Sequence, residues 1–284
     1  MKKLFLLLLL SVFTSAVFAE QHPFIFGLKI QDNLADNALA IEQTYDLHIP
    51  VIGLFFDDFS SREYELVADA VDKLGTDRVY HLTVNPLGFT AKELYFDPET
   101  KGFKEKYKKL FTLIKEKNLK VIFRFCHEMN GGWYSWASDP IYYPLMWQRV
   151  WQWSRDAWLD QKNILFDFSV NSQDLPRVGR EMPTQESTVI PCNQTRSANG
   201  ECLTFEDYYP GDKYVDVMGI TAYNWWLGAR KEDWAYWRPF ATTVDEPGYK
   251  TFSRLKSYNK PLYIDEAGTT SIYYTGSYNP DQAK

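Results

Sequence analysis

The chain has 284 residues and a net charge of −6, with 31 Lys and Arg against 37 Asp and Glu. That balance disfavours nucleic acid and anionic membrane surfaces as partners. A hydrophobic fraction of 45% excludes global disorder and allows a sizeable core.

The elements follow in chain order. Lys2 and Lys3 precede the apolar run Leu4–Phe13, which is too short to span a bilayer comfortably, and Val17-Phe18-Ala19 is a variant of the small-residue cleavage site. Residues 1–19 are therefore predicted to be a signal peptide cut after Ala19, with a secreted or periplasmic domain over 20–284 and no membrane association after cleavage. Apolar runs predict strands at Phe24–Ile30, Pro50–Phe56, Arg78–Val84, Lys120–Cys126, Asn163–Val170, Tyr214–Tyr223 and Pro261–Asp265. Helical spacing predicts helices at Asn37–Tyr45, Glu63–Leu74, Phe103–Lys117, Tyr143–Leu159 and Tyr249–Tyr258.

This alternation predicts parallel βαβ units, each strand near-continuously apolar as if buried on both faces. Seven strands suit a (β/α)8 TIM barrel better than a doubly wound sheet, and no G-x-G-x-x-G follows the first strand. Asn279-Pro280-Asp281 reads as a helix start three residues before the sequence stops, so the barrel is expected to lack its eighth strand through truncation. Ser172–Lys213 is long, polar and proline-containing, and is expected to be a decorated loop. Within it Cys192 and Cys202 are expected to form a disulfide, while Cys126, in an apolar run, is expected to be a buried free thiol. Four His and no C-x-x-C make a structural zinc site unexpected, and no metal or cofactor is predicted.

In parallel barrels the reacting groups lie at the C-terminal strand ends. Glu128 follows Val121–His127, and Glu266 follows Leu262–Asp265; each precedes a Gly-containing loop. A lone Glu at a strand end is usually a solvated loop residue. Two of them, on the fourth and seventh strands, can converge across the mouth on one bond between two sugars, as glycoside hydrolysis by two carboxylates requires. Trp133, Trp136, Trp225 and Trp226 sit beside Gly, Asn and Ser rather than in periodic apolar runs. They read either as packing aromatics or as platforms for sugar rings, whose faces are apolar and edges polar. Arg124, four residues before Glu128, is placed on the same inward face by the two-residue strand period. There it can hold a carboxylate ionised, or serve only in a structural ion pair.

The stretch Arg124-Phe-Cys-His-Glu-Met-Asn-Gly-Gly-Trp-Tyr-Ser-Trp136 resembles the acid/base motif of glycoside hydrolase family 26. Tyr208–Asn224 resembles that family's sixth-strand segment, and Lys260–Gly268 its nucleophile strand. The resemblance implies a retaining mechanism, with Glu128 as acid/base and Glu266 as nucleophile. It implies that His127 contacts the sugar or the nucleophile, that Tyr223 donates toward Glu266, and that Trp133 and Trp225 stack on sugar. Thr221 departs from the pattern, standing where many relatives carry an acidic residue. The substrate implied is a β-linked polysaccharide or oligosaccharide, first β-1,4-mannan cleaved in endo fashion by a monomer. A mixed-linkage β-1,3-1,4-glucan or β-1,3-xylan is the alternative. Two rivals are a non-catalytic carbohydrate-binding barrel and a surface adhesion protein, which predicts no convergence of Glu128 and Glu266. A Ser-His-Asp hydrolase is disfavoured, because no G-x-S-x-G occurs.

Overall fold

A computed structural model describes residues 27–29, 33–57, 59–99, 102–137, 139–175, 192, 202–224 and 239–269. The predicted signal peptide, Trp225, Trp226 and the expected missing eighth strand all fall outside these residues. Seven strands pair in sequence order into one sheet: β1 (Gly27–Lys29), β2 (Val51–Phe56), β3 (Val79–Val84), β4 (Lys120–Phe125), β5 (Ile164–Asn171), β6 (Val217–Asn224) and β7 (Leu262–Thr269). Every pairing is parallel. The helices between them are α1 (Leu34–Tyr45), α2 (Ser61–Leu74), α3 (Ala91–Phe96), α4 (Phe103–Glu116), α5 (Tyr142–Asp156), α6 (Phe240–Val244) and α7 (Thr251–Lys256). This is the (β/α)-barrel class expected from the alternation. None of the helices among the described residues is long and apolar enough to cross a membrane.

Local signals explain the helix starts. Ser60 caps α2 in a reciprocal box with Glu63, and Thr90 caps α3 with Glu93. The second of these, a T-x-x-E pattern legible in the sequence, marks a helix the apolar periodicity passed over. The α2, α4 and α5 stripes pack on the sheet: Val67, Val71 and Leu74; Tyr107, Leu110 and Ile114; Tyr143, Met146, Trp147 and Val150 are all buried.

The strands are buried on both faces, but they are not uniformly apolar, and this corrects the expectation. Tyr80, Leu82 and Val84, then Val121, Phe123 and Phe125, then Phe166, Phe168 and Val170 join the helix-facing core. The alternate positions hold His81 and Thr83, Arg124, and Asp167 and Ser169, every one of them buried and polar. Registered pairs put Thr83, Arg124 and Asp167 side by side, and Ser169 beside Gly219. Adjacent residues on a strand point to opposite faces, so these polar groups line the barrel interior.

Strand β7 runs three residues beyond Glu266, where the sequence reading had ended it at Asp265. It also carries a bulge: Ile220 pairs with Ile264, but Thr221 pairs with Glu266. Asp265 is the extra residue, so Asp265 and Glu266 both contact interior groups.

The described part of the long Ser172–Lys213 loop is anchored. Cys192 and Cys202 are disulfide-bonded, with Cα atoms 5.5 Å apart. Arg254 of α7 pairs with Asp174 at 2.7 Å and also grips Glu206. Cys126 is a buried free thiol.

Candidate active site

The β4–α5 loop carries Glu128 on a kinked backbone. Strand β4 ends at Phe125, after which Cys126 and Glu128 adopt left-handed φ values of 47° and 53°. Non-glycine residues enter that region at a cost of about 1–3 kcal/mol and stay only where their surroundings hold them. Here the Tyr143 hydroxyl donates to the Cys126 carbonyl, and the Trp136 indole to the His127 carbonyl, each at 2.9 Å. The Glu128 amide donates to the Ser169 carbonyl at 2.8 Å. Asn130 and Asn171 exchange bonds, side chain to backbone, at 2.9 and 3.0 Å. The loop is thereby docked on the end of β5.

The Glu128 carboxyl is almost entirely buried. It accepts from Trp133 Nε1 at 2.8 Å and from Asn171 Nδ2 at 3.0 Å. Burial pushes its pKa up, against the opposing pull of the Arg124 charge and those two donors. Trp133 is 37% exposed, so the residue holds Glu128 while part of it stays open to solvent. Gly131 permits this: a Cβ there would lie 2.4–2.6 Å from the Trp133 ring.

Glu266 occupies a different environment. Its side chain is 17% exposed. Oε1 accepts from Arg124, and Oε2 accepts from the Tyr223 hydroxyl at 2.5 Å. Desolvation, and then the hydrogen bond to Glu266, hold the Tyr223 hydroxyl protonated well above its ordinary range. Arg124, fully buried, also donates to Ser169 Oγ at 2.8 Å and Thr221 Oγ1 at 2.5 Å. The guanidinium is therefore bonded to Glu266, and not to the nearer residue in the chain, Glu128. Thr221, the departure from the family pattern, serves as one of its acceptors.

The other expected residues fall as follows. His127 is buried, with Nδ1 2.9 Å from Asn85 Oδ1 and Nε2 3.0 Å from the Tyr134 hydroxyl. Both ring nitrogens have partners, and these contacts tie His127 to the residues around the loop. Trp136 is fully buried and belongs to the core, stacked on Tyr134 at 4.4 Å. Trp225 lies outside the described residues. The sequence reading missed Asn85, Tyr134 and Asn171, and the interior groups His81, Thr83, Asp167 and Ser169. A signal was present: His81, Thr83 and Asn85, and Asp167, Ser169 and Asn171, recur every second residue within apolar strands.

Fold and site together define a class: a parallel (β/α)-barrel protein whose mouth holds two carboxyl groups in contrasting surroundings. The particular likeness is to barrels of glycoside hydrolase family 26. The GH26A structure from Muricauda sp. superposes with a TM-score of 0.56 at 15% identity, covering 87% of this chain and 77% of that one. The GH26 domain of an endo-β-mannanase/endo-β-glucanase from Prevotella bryantii gives 0.54 at 14% identity, over 90% and 79%. The Bacillus subtilis mannanase BCman gives 0.56 at 14% identity, over 86% and 71%. By sequence, 160 residues are 29% identical to Endoglucanase H of Acetivibrio thermocellus, 54% of this chain but only 15% of that protein. No family model matches the chain.

Proposed function

We propose that this chain is a retaining glycoside hydrolase of family 26 type that cleaves β-linked polysaccharide internally, with β-1,4-mannan the first candidate substrate. The observation that carries the reading is the contrast between the two carboxyls. Glu128, buried and with its pKa raised, is suited to arrive protonated and to protonate the departing glycosidic oxygen. Glu266, gripped by Arg124 and Tyr223, is suited to attack the anomeric carbon. The two share one electrostatic field, since Arg124 and Glu266 both act on Glu128.

The steps then follow. Attack by Glu266 forms a glycosyl-enzyme as the Glu128 proton passes to the leaving oxygen. Glu128, now a carboxylate, takes a proton from water, and the hydroxide equivalent releases the sugar with net retention. Trp133 supplies an aromatic face beside the acid for a bound ring. The mannan preference, internal cleavage and secretion rest on the sequence motifs, the N-terminal segment and the likeness to mannanase structures.

Nucleophile rescue tests the roles. In Glu128→Ala, azide restores turnover of a substrate with a good leaving group and yields the β-glycosyl azide. In Glu266→Ala, azide yields the α-product or nothing. Identical stereochemistry from both variants, or undiminished hydrolysis in either, refutes the assignment. Hydrolysis of a panel of mannan, mixed-linkage β-glucan and β-1,3-xylan settles the substrate. Binding to such a polymer with no hydrolysis of any would favour the non-catalytic carbohydrate-binding barrel.

A further inference from the structure

Beneath the Arg124 layer lies a second cluster that the proposed hydrolysis does not use. Asp167 precedes Ser169 by two residues on β5, and His81 precedes Thr83 by two on β3, so both precede, on the same strand faces, the hydroxyls that the Arg124 side chain bonds. Asp265, the bulged residue of β7, reaches the same place. The aspartate side chains have no exposed surface, and that of His81 is 8% exposed.

Five polar atoms of this cluster have no hydrogen-bond partner: His81 Nε2 and all four carboxylate oxygens of Asp167 and Asp265. Such groups are nearly always satisfied. Arg124 does not satisfy them. Its Nε is 3.6 Å from Asp265 Oδ2, beyond hydrogen-bond reach, and donates to Ser169 instead.

The distances suit an ion. His81 Nε2 is 3.2 Å from Asp265 Oδ1 and 3.6 Å from Asp167 Oδ2, so one nitrogen faces both carboxylates. Ligands about 2.0–2.1 Å from a tetrahedral zinc stand roughly 3.3 Å from one another. One donor atom from each of the three residues lies within 4.8 Å of the others. Gly219 leaves the room: a Cβ there would meet Asp265 Oδ2 at 2.0 Å and Asp167 Oδ1 at 2.5 Å.

We propose that His81 Nε2, Asp167 and Asp265 form a binding site for a divalent first-row metal ion, zinc by preference, inside the barrel. One imidazole and two carboxylates select such an ion over magnesium or calcium, which take oxygen ligands. The ion would have a positioning role. By tying the bulged Asp265 to β3 and β5, it would hold the backbone turn that brings Glu266 beneath Tyr223 and Arg124. This site, which the sequence reading did not expect, stands whether or not the chain hydrolyses glycans.

The test is elemental analysis of the full chain, purified from zinc-supplemented medium and exhaustively dialysed. About one zinc per chain is expected. Prolonged chelation should lower Tm by several degrees, and added zinc should restore it. X-ray absorption should show one imidazole and otherwise oxygen neighbours. Asp167→Asn should lose the bound zinc; if that variant does not fold, His81→Gln gives the same readout. Wild-type protein with no stoichiometric metal and a Tm indifferent to chelator and zinc would overturn the proposal. So would sulfur ligation, or an Asp167→Asn protein that keeps a full equivalent.

Discussion

Trp133→Phe isolates one interaction in the proposed acid. The substitution keeps an aromatic face but deletes the indole N–H that donates to Glu128 Oε2 at 2.8 Å. That donor stabilises the ionised carboxyl, so its loss raises the Glu128 pKa further. A hydrogen bond to a charged group is worth about 1.5–3 kcal/mol, and one pKa unit corresponds to about 1.4 kcal/mol. Trp133 is 37% exposed, so water replaces part of the donor, and the rise should be smaller than loss of the whole bond would give. The assay is kcat/KM against pH on an unactivated oligosaccharide, whose leaving group needs the proton. A general acid loses activity as pH climbs through its pKa, so the alkaline limb should move to higher pH. The plateau will also fall if the ring binds sugar, but plateau height does not move the limb. An aryl glycoside with a very good leaving group should show no such limb in its first step. An unmoved limb, or one displaced to lower pH, would refute the assignment of Glu128 as the acid.

Other outcomes follow from the geometry. Gly131→Ala should displace the Trp133 indole, which a Cβ would approach to 2.4–2.6 Å, and lower kcat/KM by about tenfold or more through the misplaced acid, with Tm changing far less. Reduction of the Cys192–Cys202 bridge, or Cys192→Ser with Cys202→Ser, should cost about 2.5–3 kcal/mol by loop-closure entropy for a separation of 10 residues. Thermal unfolding with and without reductant measures this, and thiol counting on unreduced, denatured protein should find one free thiol, Cys126. Phe123→Ala should cost about 3–5 kcal/mol in denaturant unfolding, because the ring is fully buried and packs against Phe111, Phe125 and Phe166.

The likeness to family 26 barrels rests on the fold at 14–15% identity, so the chemistry must be carried by this chain's own residues. Here the interior bears a consequence. The barrel keeps the side chains of Arg124, Asp167, Asp265 and His81 in its core where apolar side chains would pack more cheaply. Such groups are retained at functional sites, where a fixed charge arrangement counts for more than stability.

Strand and helix order was legible in the sequence because it depends on neighbours two to four residues apart. Val79–Val84 and Lys120–Phe125 show a strand period, and Phe103–Glu116 a helical one, in any context. Glu128 and Glu266 were legible for the same reason: each sits in a short motif after an apolar run. What the tertiary structure alone decided is which distant groups meet. Arg124 lies four residues from Glu128 but bonds Glu266, 142 residues away, because the sheet curls and β4 and β7 face one another across the interior. The single extra residue in β7 sends Asp265 toward His81 and Asp167 and leaves Glu266 to Arg124 and Tyr223. With a side-chain period of two, a bulge of one residue exchanges faces. Nothing local in Tyr263-Ile264-Asp265-Glu266 encodes it, since the bulge arises only when β7 pairs with β6.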